Sequence, residues 1–331
     1  MEKIGACYYP TKVLILDDSQ RFVQAIGQEL SRKCHTYEGF SEANTILERV
    51  NSEYKFDPFT SRYIKMIDEA EYQHRRIDID LYTLHKEVYM KDRFEAISTV
   101  VIDYDMPEMN GLEVCGNINN SYINKILLTG VTDESFAVEA FNKGLIHSFV
   151  KKQDPNMLQK LNALILQAQE RYFISLSETI LKAIETDGER ITAINDPVFI
   201  KLFDSLVKQY NIVEYYIIEA IGCFLMLDEG GRSYGLFLAD EEIMDSMIIE
   251  AVDAQGRRNL DIARMLFNRE KLLCYHNKFN LNVPYVDKWV NYLYKANKLV
   301  GEKAVYYWAF APKMLDLDEE KIYSFNAYRN Q

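Results

Sequence analysis

Four separated groups in the first half of the chain carry side chains that could do chemistry together: Asp17-Asp18, Asp103, Thr129 and Lys152. Each lies at or just beyond the end of a short apolar run. Three carboxylates drawn into one cleft repel one another unless a cation joins them. Oxygen donors at a shallow site with room for water suit Mg²⁺. A metal beside an exposed carboxylate neutralises an incoming phosphoryl group, and the carboxylate can attack it to form an acyl phosphate. A hydroxyl and an ammonium nearby would bind the new phosphoryl oxygens. Lys151 competes with Lys152 for the ammonium role.

Stepping outward, these residues need strands to carry them. Lys12 to Leu16 is an apolar strand ending at the acid pair, followed by a capping Ser19 and by Phe22, Ile26 and Leu30 at helical spacing. Cys34 to Tyr37 reads as a second strand and Ser41 to Val50 as a second helix. Thr99 to Ile102 is a third strand, ending at Asp103 and followed by the turn signals Met106-Pro107 and Asn110-Gly111. Lys125 to Leu128 and Phe149 to Lys151 complete five strands, with helical patterns between them. Strands alternating with helices predict an α/β, doubly wound parallel sheet whose chemistry sits beyond the strands' carboxyl ends.

The motifs that carry a family resemblance are Val13-Leu14-Ile15-Leu16-Asp17-Asp18, Asp103-Tyr104-Asp105-Met106-Pro107, Leu128-Thr129-Gly130 and Gly144 through Lys152. Residues 10–155 resemble the receiver domain of a two-component response regulator, a five-stranded flavodoxin-like fold. The resemblance implies that Asp103 is the phosphoacceptor and a sensor histidine kinase the phosphodonor. It implies that Asp17, Asp18, Asp103 and Asp105 hold Mg²⁺, Asp105 through its backbone carbonyl and Asp17 through water. It further implies that Thr129 and Lys152 contact the phosphoryl group, and that Phe149 is the switch aromatic that turns inward. The alternative for Phe149 is an ordinary core aromatic. Gln153 stands where the family usually has proline.

The chain has 331 residues, enough for two domains, with 48% hydrophobic and 27% charged residues. Its net charge of −12 gives no overall basic field for nucleic acid. Five cysteines, odd in number and without CxxC pairs, point with the lack of a leader pattern to a reducing cytoplasm. Apolar stretches are strand-length, so no membrane span is expected. The expected division is a receiver at 1–155 with a helical insertion at about 51–98, a connecting helix at 156–185 and an output domain at 186–331. In the insertion, Asp57-Pro58 opens one helix that continues through Tyr63, Ile64 and Ile67, and a second carries Ile79 to Tyr89. The insertion packs on the sheet edge or forms a separate binding module. The long apolar pattern from Leu158 to Leu181 joins the domains or pairs with a partner helix, with Thr186-Asp187-Gly188 ending it.

The second half reads as α+β with a mainly antiparallel sheet: β-rich runs at 213–219, 222–227 and 234–238 are separated by glycine-containing turns, and 304–310 adds a late strand. It resembles an output domain of obscure activity found behind receivers with this insertion, some of them in quorum-sensing response regulators. Arg257, Arg258, Arg264, Arg269, Lys271 and Lys278 form a basic stretch, but poor phasing and the lack of a helix-turn-helix pattern argue against DNA binding. His276 has no second histidine at metal-ligand spacing. Glu319-Glu320-Lys321 supplies only one piece of a nuclease-type catalytic set. A phosphorylation-promoted homodimer or protein-interaction module is therefore expected, not an enzyme. The alternative is a receiver-regulated enzyme with a degenerate nuclease-like or ligand-sensing output domain.

Overall fold

The computed structural model describes residues 3–30, 33, 35–53, 62–69, 74–130, 134–186, 192–253, 257–274, 286–313 and 317–331. Its contacts divide the chain into two units, one of residues 8–78 and 91–178, the other of residues 1–7, 79–90 and 179–331.

The elements run β1 (Cys7–Tyr8), β2 (Thr11–Leu16), α1 (Gln20–Glu29), β3 (His35–Phe40) and α2 (Ala43–Glu53). Then come β4 (Ile64–Glu69), β5 (His74–Ile79), α3 (Leu81–Leu84), β6 (Ile97–Asp103), α4 (Gly111–Gly116) and β7 (Asn124–Thr129). α5 (Glu134–Asn142), β8 (Ser148–Lys151) and α6 (Met157–Leu176) close the first unit, whereas α3 belongs to the second.

Five strands of this unit pair in parallel in the order β3-β2-β6-β7-β8. Their near-continuous apolar runs follow from burial on both faces. Leu14, Leu16, Val100, Ile102 and Leu127 point to one face, under Ala43, Ile46, Val114 and Ala137 from α2, α4 and α5. Val13, Ile15, Val101, Ile126 and Leu128 point to the other, under Val23, Ile26, Leu161 and Ile165 from α1 and α6. The two-residue repeat of the strand thus serves two cores at once.

A buried polar chain secures the sheet's amino end to α6. The Gln169 amide nitrogen donates to Thr11 Oγ1 at 2.7 Å, and that oxygen lies 2.7 Å from Ser98 Oγ. His35 Nδ1 meets Gln169 Oε1 at 3.2 Å, while its Nε2 meets the Tyr37 hydroxyl. Burial pulls the His35 pKa down to about 4, partly offset by its hydrogen bond to Gln169.

The insertion departs from the expected pair of helices. Ile64-Lys65-Met66 and Ile77-Asp78-Ile79 alternate with a period of two, and the backbone follows that period as a hairpin of β4 and β5. Among the described residues of the insertion after α2, helix is limited to Arg62 and Tyr63, one turn at α3 and two 3₁₀ segments, His85–Tyr89 and Lys91–Glu95. The expected helix start at Asp57-Pro58 lies outside the described residues, as do Cys34, Asp187-Gly188, His276 and Lys278.

The connecting helix is also two elements. α6 ends at Ser177, whose amide is shared between the carbonyls of Phe173 and Ser175, and α7 (Glu178–Thr186) starts afresh. α6 spends its apolar face on the parallel sheet rather than on a linker role. The contact boundary therefore falls at 178/179, not at 155/156 or 185/186.

The second unit holds α7, α8 (Pro197–Gln209), β9 (Ile212–Glu219), β10 (Cys223–Asp228), β11 (Ser233–Ala239), α9 (Glu241–Asp253) and α10 (Arg257–Phe267). β12 (Lys271–Leu273), β13 (Leu293–Lys295), β14 (Asn297–Val300) and β15 (Val305–Ala311) follow. Its main sheet has the order β1-β9-β10-β11-β15-β14, antiparallel from β9 through β14. β1 therefore belongs to this sheet although it lies at the amino end, which the expected 1–155 division did not foresee. No helix among the described residues is long and apolar enough to cross a membrane.

Candidate functional site

The carboxyl ends of β2 and β6 lie side by side, with Leu16 level with Ile102, so the acids that follow them meet. Asp17 is fixed at three points. Its amide donates to the Phe40 carbonyl at 3.2 Å, its Oδ1 accepts from the Ser19 amide at 2.9 Å, and Lys152 Nζ lies 2.7 Å from its Oδ2. Ser19 in turn caps α1 by accepting from the Phe22 amide. Asp18, the next residue, is exposed.

Asp103 is 3% exposed at the end of β6. Lys152 Nζ lies 2.8 Å from its Oδ2, so one ammonium bridges Asp103 and Asp17. Burial raises the Asp103 pKa, and the Asp17 charge adds to this; Lys152 and the Asp105 backbone amide oppose it. For Lys152 burial acts downward, but hydrogen bonds and charge from Asp103 and Asp17 leave its pKa raised. One oxygen each from Asp17, Asp18 and Asp103 lies within 4.8 Å of the others, and an all-oxygen donor set of that size fits a hard divalent cation.

Backbone geometry sets the rest. The Asp103–Gly111 loop is closed by the Gly111 amide donating to the Tyr104 carbonyl at 2.9 Å. A Cβ at Gly111 would stand 2.2 Å from the Asp103 carbonyl oxygen, so only glycine allows this approach. Asn110 and Glu113 form a reciprocal cap on α4. Thr129 ends β7 fully buried; its carbonyl accepts from the Lys152 amide at 2.9 Å, and its hydroxyl has no hydrogen-bond partner.

The structure thus brings together Asp17, Asp18, Asp103 and Lys152, with Thr129 beside Lys152 through the backbone. Lys152 carries the ammonium that reaches the acids; Lys151 is the last residue of β8. Asp105 is exposed, and Phe149 is half-buried against the core under α4 and α5. Phe22 was legible only as a helix-face apolar residue. Its ring lies 4.7 Å from Lys152 Nζ, a pairing between residues 130 positions apart that no local spacing announces.

In the second unit one residue of the basic stretch, Arg269, is tied to two acids, Glu241 at 2.5 Å and Asp245 at 2.9 Å. Glu319 of the triplet lies on a 3₁₀ turn, accepts from the Ser233 hydroxyl at 2.8 Å and pairs with Lys313 at 2.9 Å, while Lys321 pairs with Asp318.

A doubly wound parallel sheet with three acids and a lysine at its carboxyl edge defines a response regulator receiver, and the family model for the response regulator receiver domain matches residues 66–162. The chain belongs to the response regulator family. It is similar along nearly its whole length to the Legionella pneumophila response regulator LqsR, with 31% identity and a TM-score of 0.78, covering 99% of this chain and 96% of that one. A receiver domain protein from Clostridium thermocellum is 17% identical, covering 51% of this chain and 98% of its own, with a TM-score of 0.34. The Francisella response regulator 1452 receiver domain is 15% identical, covering 49% and 98%, with a TM-score of 0.31. A search of curated proteins finds no match.

Proposed function

We propose that this response regulator is switched by phosphorylation of Asp103. The observation that carries the reading is the single ammonium of Lys152 bridging buried Asp17 and Asp103, with Asp18 alongside. A histidine kinase or small phosphodonor supplies the group. An Asp103 carboxylate oxygen bonds to phosphorus, and the bond from phosphorus to the donor breaks with the electron pair leaving on the donor. Asp17, Asp18, Asp103 and the Asp105 carbonyl would hold Mg²⁺, which supplies charge neutralisation for the phosphoryl oxygens. Lys152 then pairs with a phosphoryl oxygen, and the unpartnered Thr129 hydroxyl donates to another.

Thr129 leads into α5, and Phe149 packs on the same core, so their movement reaches the α5 surface. That helix exposes half of Phe136 and half of Phe141. The expected readout is a homodimer or a protein contact on this face, through an output unit that does not itself bind DNA. The likeness to LqsR supports quorum sensing as the process served, and a cytoplasmic location is part of the same reading.

The test is intact-mass measurement with acetyl phosphate and Mg²⁺. Wild type gains one phosphoryl group and Asp103→Asn gains none. Equal labelling of the variant removes the assignment.

A further inference from the structure

An ammonium has three N–H donors, and a lysine reaches its site on a flexible four-carbon stem. At Lys152, carboxylate oxygens of Asp17 and Asp103 lie 2.7 and 2.8 Å from Nζ. The Phe22 ring, its centroid 4.7 Å from Nζ, provides an electron-rich face for the cation. We propose that Phe22 is a positioning residue that seats the Lys152 ammonium between the two acids, a role that rests on the phosphoacceptor reading of Asp103.

The ring is well placed for this. Phe22 lies in the first turn of α1, its amide bonded to the Ser19 hydroxyl, and the Ser19 amide binds Asp17 Oδ1. One turn of chain thus fixes both an acid partner and the ring, and Phe22 also packs against the core under α1 and α6. The ring is also the one partner whose charge the reaction leaves alone. Asp103 loses its carboxylate character on phosphorylation, and Asp17 is engaged by the cation. An ammonium kept on the ring stays near the phosphoryl oxygens through both events. A leucine at this position would fill the same space and offer no attraction.

Limited acetylation of the metal-free protein, read by mass spectrometry at Lys152, measures the seating without any phosphorylation. Lys151 next to it serves as internal control of folding and reagent. Phe22→Leu is expected to raise the Lys152 rate three- to tenfold, about the value of a half-buried cation–π contact, while Phe22→Trp stays near wild type. Equal Lys152 rates in all three proteins overturn the proposal, and so does an equal rise in both variants. Phosphorylation by acetyl phosphate should slow by a similar factor in Phe22→Leu and recover in Phe22→Trp; wild-type speed in the leucine variant also overturns it. A failure of the Asp103 assignment is distinct, showing as label on Asp103→Asn protein or none on wild type, while the acetylation result stands by itself.

Discussion

His35 is fully buried and bonded through both ring nitrogens, an arrangement that suits the neutral ring. Its pKa falls from 6.5 to about 4 on folding, so between those values the unfolded chain takes up a proton that the folded chain does not. The stability it confers is complete above pH 6.5 and is lost as the pH falls to 4, on the order of 3 kcal/mol. Urea midpoints measured from pH 7.5 to 4.5 should drop more steeply for wild type than for His35→Asn. Equal slopes would show that His35 does not titrate this way. Thr129 and Lys152 make the complementary case at the acid site. Lys152→Ala should still take up Mg²⁺ and label, though at least as slowly as Phe22→Leu, yet fail to shift the oligomer; Thr129→Ala should still label and likewise fail to shift the oligomer. If Lys151→Ala were the uncoupling change, the lysine role would belong one residue earlier.

At the scale of elements, legibility followed the number of independent constraints on each segment. β2, β6 and β7 had an apolar run, a strand-end acid or hydroxyl and a turn signal, and they stand where those signals put them. The insertion had only periodicity over a few residues, where Ile64 and Ile67 fit a helix and Ile64 and Met66 fit a strand. Pairing with β5 decided it, and pairing is not a local property. The long apolar pattern from Leu158 to Leu181 concealed the break at Ser177 because both flanking helices carry apolar faces. The meeting of the acids was readable, since it follows from strand ends; the Phe22 contact and the His35–Gln169 bond were not, since each joins distant segments. α4 offers a sharp test of local necessity. Gly111→Ala forces a methyl into the Asp103 carbonyl and should cost about 1–3 kcal/mol, lowering the thermal midpoint and distorting the phosphoacceptor loop. An unchanged midpoint would mean that the loop yields freely.

For the whole molecule, the proposed switch must appear as a shift between assembly states. A two-fold contact repeats each small gain on both subunits, so modest changes in the α5 surface can move the equilibrium. Light scattering over a concentration series, with and without a phosphoryl mimic and Mg²⁺, should show mass rising toward the dimer only with both present. A monomer mass under every condition at tens of micromolar, an order of magnitude suited to transient contacts, would exclude dimerisation as the output. Phe136→Ser should weaken the shift without altering labelling.

The placement of β1 has a practical consequence for anyone dividing this protein. The chain passes between the two units at 7/8, 78/79, 90/91 and 178/179, so no single cut separates them. A fragment starting at residue 179 would lack the strand beside β9 and present a naked row of amides and carbonyls, the kind of border along which sheets adhere to one another. Such a fragment should precipitate or form mixed oligomers. Because residues 79–90 are missing from it as well, a short peptide spanning residues 3–10, added in trans, should reduce this association without abolishing it.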